Sequence, residues 1–115
     1  MTVTHGAKYF DYLSTPVQGI TKLVRAFAKD LAAAEVAAGR LPAGTKASVR
    51  YRSASQMQEI DVRILVPADP VPARGYAYGL GRTLYAEMAA YNLRDDQSPG
   101  NTRFYTAVTV GPHHV

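Results

Sequence analysis

The sequence predicts an α+β domain: a two-layer sandwich in which a three-stranded antiparallel sheet carries two helices on one face. Three observations predict it. An apolar stripe with helical spacing runs from Val17 to Ala38. Two segments of strict alternation, Lys46 to Ser53 and Gln58 to Val66, follow with a short gap between them. A second helical stripe and a last alternating segment then close the chain. The order is helix, strand, strand, helix, strand, and helices on one sheet face bury every apolar stripe. With 115 residues there is room for one core, so residues 1–115 read as a single domain.

The first 14 residues hold the aromatic cluster Tyr9, Phe10 and Tyr12, consistent either with packing on the core or with the start of a strand. Thr15-Pro16-Val17-Gln18 has the form of a helix start. Thr15 suits the N-cap, Pro16 the first helical position, and Gln18 completes a capping box. Val17, Ile20, Val24, Phe27, Leu31, Ala34 and Ala38 then alternate spacings of three and four. Gly39 supplies a left-handed stop and Pro42 prevents continuation.

In the two strand segments, a register that sets Arg52 opposite Glu59 also sets Arg50 opposite Asp61, Tyr51 opposite Ile60 and Val49 opposite Val62. Charge pairs then fall outside and apolar pairs inside; a one-residue slip would drive charge into the core. Pro67, Pro70 and Pro72 end the second strand. Tyr76 to Tyr91 reads as a helix with Leu80, Leu84, Met88 and Tyr91 on one side, weakened at its start by Gly79 and Gly81. Asn92 to Thr102 reads as a polar loop. Arg103 to Val110 reads as a strand with Phe104, Thr106, Val108 and Val110 on one face. A right-handed crossover through the second helix would lay this last strand beside the first.

The chain has no cysteine, which removes disulfides, zinc–thiolate sites and thiol nucleophiles and fits a reducing compartment. No apolar run approaches the ~18 residues of a membrane span, and Met1 to Phe10 lacks the pattern of a secretory signal. The expected location is cytoplasmic. Net charge is +4, and nine of the 13 basic residues are Arg. That bias is compatible with nucleic acid, although a GC-rich coding sequence produces it equally and is the favoured main cause.

Catalytic chemistry finds little support. His5, His113 and His114 sit at the termini, where a base lacks a fixed partner. Asp95-Asp96 has no calcium-loop spacing around it. Glu59 and Asp61 share a strand face but face arginines in the proposed hairpin. Gly75, Gly79 and Gly81, flanked by Arg74 and Arg82, match no phosphate-binding fingerprint and read as close backbone packing. No catalytic residue, metal or cofactor is assigned, and the expectation is a non-enzymatic module.

Two binding readings remain. Lys22, Arg25 and Lys29, spaced three and four apart, form a basic stripe on the exposed side of the first helix. Arg50 and Arg52, with Arg63, Arg103 and a Tyr105 able to stack on a base, lie on the outer sheet face. Together they favour nucleic acid. The alternative is a host or self protein, bound along an edge strand or through Tyr76, Tyr78 and Tyr85 as anchors.

Lys46, Ser48, Val49 and Arg50, then Ile60 and Val62, then Tyr91-Asn92, with Asp95-Asp96 and Phe104-Tyr105 beyond, carry a further likeness. The stretch from Ile20 to Asn92 resembles the small domains associated with the large polyvalent proteins of phages and conjugative elements. The glycine-rich hairpin and the tryptophan of the second strand usual in that group are absent here. The resemblance implies a mobile-element accessory domain that handles nucleic acid or a host protein, and it carries over no catalytic residue.

Overall fold

Why the last strand settles where it does is decided by the two helices. The computed structural model describes residues 3–54, 57–67, 71–95 and 102–112. Its elements are β1 (Val3–His5), α1 (Val17–Ala37), β2 (Lys46–Ala54), β3 (Met57–Val66), α2 (Val71–Ala90), β4 (Leu93–Asp95) and β5 (Tyr105–Pro112). The main sheet has the order β2-β3-β5, and β1 pairs with β4 in a separate two-stranded ribbon.

The hairpin adopts the register read from the sequence: Arg52 opposite Glu59, Tyr51 opposite Ile60, Arg50 opposite Asp61 and Val49 opposite Val62. Residues of the even series in β3, Ile60, Val62, Ile64 and Val66, are buried beneath the helices. The sheet is mixed rather than antiparallel. β5 lies beside β3, not β2, and runs parallel to it. A helical crossover returns the chain in its starting direction, so neighbours joined that way are parallel. The β2 side is already covered by α1, whereas α2 packs over β3 and β5. A last strand beside β2 would require α2 to cross α1.

α1 follows its predicted stripe for three turns and then departs from it. Val17, Ile20, Val24, Ala28 and Ala32 are buried, Phe27 and Leu31 half-buried, and Ala34 and Ala38 exposed. The predicted capping box does not form: Pro16 is the N-cap and makes no side-chain cap bond. Thr15 is drawn instead into the preceding turn, its N–H donating to the Tyr12 carbonyl. The C-terminal stop is as predicted. Gly39 has φ +78°, its N–H donates to the Val36 carbonyl, and the Arg40 N–H donates to the Glu35 carbonyl. That double bond is a Schellman motif, which needs a residue that tolerates the left-handed region.

α2 begins at Val71, five residues earlier than expected, so Gly75 lies inside the helix together with Gly79 and Gly81. Gly81 has a packing reason. A Cβ there would come within 3.1 Å of a Val108 methyl and 3.4 Å of an Ile64 methyl, so the glycine lets α2 approach the sheet closely. Leu80, Leu84, Met88 and Tyr91 are buried as predicted.

The N-terminal segment docks on the far end of α2. Gly6 N–H donates to the Asn92 carbonyl at 2.9 Å and Lys8 N–H to the Ala90 carbonyl at 2.7 Å. The Tyr12 and Tyr91 rings meet edge to face at 5.0 Å, and Lys8 Nζ bonds Glu87 at 2.8 Å. The Glu87 carboxylate holds the Lys8 ammonium above its ordinary pKa of 10.5, while burial pushes the Tyr91 phenol above its ordinary 10.0. Both groups therefore keep their protons longer folded than unfolded, so stability is retained below those ordinary values and lost as pH rises through the folded ones. The thermal midpoint should stay level to about pH 9 and fall beyond about pH 10, less steeply in Lys8→Met. A midpoint unchanged at about pH 11 would contradict this docking.

Candidate nucleic-acid interface

The outer sheet face and the exposed side of α1 meet at the free edge of β2. Arg25 is the joint. Its Nε and Nη2 donate to the Val49 carbonyl at 3.2 and 2.9 Å, reaching from helix to strand edge. The next residue, Arg50, projects on the outer face, as Lys46 and Arg52 do by the two-residue period of the strand. Lys22 and Lys29, one turn to either side of Arg25, are exposed along the helix. Lys22, Arg25, Lys29, Arg50 and Arg52 thus fall on one surface that turns around β2. Lys46 and Arg63 extend it. The alternation of the two strands already carried that signal for both.

The electrostatics of the face differ from the expected pairing. Arg50 and Arg52 stand opposite Asp61 and Glu59 in register, yet neither forms an ion pair. Asp61, 5% exposed on the central strand, is instead held by Arg63 two residues along, with Nε 3.4 Å from its carboxylate. Arg50 and Arg52 are both exposed, and an ion pair formed at the surface would gain little against the entropy of holding these long side chains. Among the described residues the ion pairs are Lys8–Glu87, Arg40–Glu35 and Arg63–Asp61, leaving Lys22, Lys29, Arg50 and Arg52 unneutralised.

Arg103 does not belong to the face. It lies before β5, where its guanidinium donates to the carbonyls of Tyr12, Thr15 and Tyr91 and stacks 5.6 Å from the Tyr9 ring. It is a tie for the N-terminal segment, a role invisible without the fold. Tyr105 does lie on the outer face, opposite Glu59 on β3.

Tyr76, Tyr78 and Tyr85 are all in α2 and about half exposed. They do not form one patch. Tyr76 faces the groove between the helices beside Leu31 and Glu35, whereas Tyr78 and Tyr85 flank Arg82 next to Val108 and Val110 of β5.

No group of three or more His, Asp or Glu side chains among the described residues could hold a metal. His113, His114 and Asp96 lie outside the described residues, and for His5 and Asp95 only the backbone is described. No helix among the described residues is long and apolar enough to cross a membrane. The chain matches no family model, no curated protein and no solved structure.

Proposed function

We propose that this chain is a non-enzymatic module that binds nucleic acid through the basic surface around β2, as an accessory domain of the mobile-element kind its sequence resembles. The observation that supports it most is the continuity of Lys22, Arg25 and Lys29 with Arg50 and Arg52, made by the Arg25 bonds to the Val49 carbonyl. Two clusters that look separate in sequence become one cationic strip, and a strip of that kind fits a polyanion. Affinity then comes from phosphate neutralisation and counterion release.

The test is fluorescence anisotropy with labelled oligonucleotides, single- and double-stranded, across a salt series. Four to five phosphate contacts would give a slope of log affinity against log salt of about −3 to −3.5 on single strands and about −3.5 to −4.5 on duplex. A flat response, or no binding at low ionic strength, would remove the reading. Protein partners are the second reading, carried by the exposed Tyr78 and Tyr85 beside β5.

A further inference from the structure

The two edges of the main sheet are treated differently. At β2, the Arg25 side chain occupies the Val49 carbonyl that an incoming strand would need, and Lys46, Arg50 and Arg52 line the strand. Capping and charge of this sort keep an edge from pairing. β5 has neither device. Its eight residues, Tyr-Thr-Ala-Val-Thr-Val-Gly-Pro, contain no charge, and no other strand among the described residues pairs with its outer side. Alternate residues of such an edge strand direct their N–H and C=O groups away from the sheet.

The helix beside that edge exposes two large aromatic side chains. Tyr78 is 55% and Tyr85 51% exposed, and between them on the same face Arg82 is exposed and has no ion pair among the described residues. The three line a shallow groove with Gly81, Val108 and Val110, the valines only half buried.

We propose that β5 and the Tyr78–Tyr85 face are the contact surface for a second copy of this chain, the two β5 strands pairing antiparallel about a two-fold axis. The charge pattern selects this occupant. Two-fold pairing sets a strand against itself, so any charge in it meets a like charge nearby; β5 carries none, whereas β2 would oppose Lys46, Arg50 and Arg52 to their own copies. The helix face is self-complementary as well, since each copy brings a guanidinium and the aromatic rings that receive one. An isologous contact needs that property. The result is a six-stranded sheet with a basic surface at each far edge. The proposal is independent of what the basic surface binds.

Sedimentation equilibrium over a range of protein concentrations tests it. The expected mass rises from that of one chain toward that of two, with amide protection in β5 rising in parallel. Thr109→Lys, at an exposed position of β5, and the double variant Tyr78→Lys/Tyr85→Lys should each weaken association by at least about tenfold while leaving the circular dichroism spectrum unchanged. Tyr76→Lys, on the other flank of α2, should associate like the parent. A chain that stays monomeric throughout, or a dimer indifferent to both β5-side variants, would overturn the proposal.

Discussion

Replacing Arg103 by alanine is expected to lower the unfolding free energy by about 2–4 kcal/mol, a large effect for a half-buried surface-derived residue. The guanidinium donates to backbone carbonyls of Tyr12, Thr15 and Tyr91, which belong to two separate parts of the chain. Without it those acceptors lose a charged donor together, and the turn that leads into α1 loses its tie to the end of α2. Arg103→Lys should recover only part of the loss, because a compact ammonium cannot span acceptors that a planar fork reaches at once. Urea denaturation followed by circular dichroism measures both variants. A change within about 0.5 kcal/mol for the alanine variant would show that the tie is dispensable.

The second large effect concerns binding. Arg50→Glu/Arg52→Glu reverses two exposed charges at the centre of the strip and should weaken nucleic-acid affinity by at least about 100-fold at low salt. The salt slope should fall in magnitude by about two contacts' worth. The new carboxylates stand opposite Asp61 and Glu59 in register, so the thermal midpoint should fall below the parent's, and binding is measured at a temperature where circular dichroism shows the variant folded. Affinity within about threefold of the parent would place any binding elsewhere.

Local pattern carried much of the fold. The hairpin register was legible because one alignment satisfied both faces, and the residues of β2 and β3 pair in that alignment. The end of α1 was legible because Gly39 is a residue type with a conformational reason. What pattern did not carry is non-local. The neighbour of β5 depends on which helix covers which part of the sheet, and alternation within β5 is the same beside either strand. The capping box failed because Thr15 is drawn into the turn that Arg103 ties, a contact between residues 88 positions apart.

The candidate surface shows the same division. Exposure of Lys22, Lys29, Arg50 and Arg52 followed from periodicity, whereas their union on one surface depends on Arg25 and the edge of β2. Arg103 had the composition of a site residue and the position of a structural one. The Tyr76, Tyr78 and Tyr85 group divided because residues two apart on a helix point to different sides.

The most direct measurement is a ¹H–¹⁵N correlation titration of the protein with a short oligonucleotide at low salt. Binding around β2 predicts that amide shifts concentrate at Lys22, Arg25, Lys29, Arg50 and Arg52, with little change across Tyr78 to Tyr85 in α2. An unperturbed spectrum, or shifts gathered on α2 with the β2 surface silent, would contradict the account.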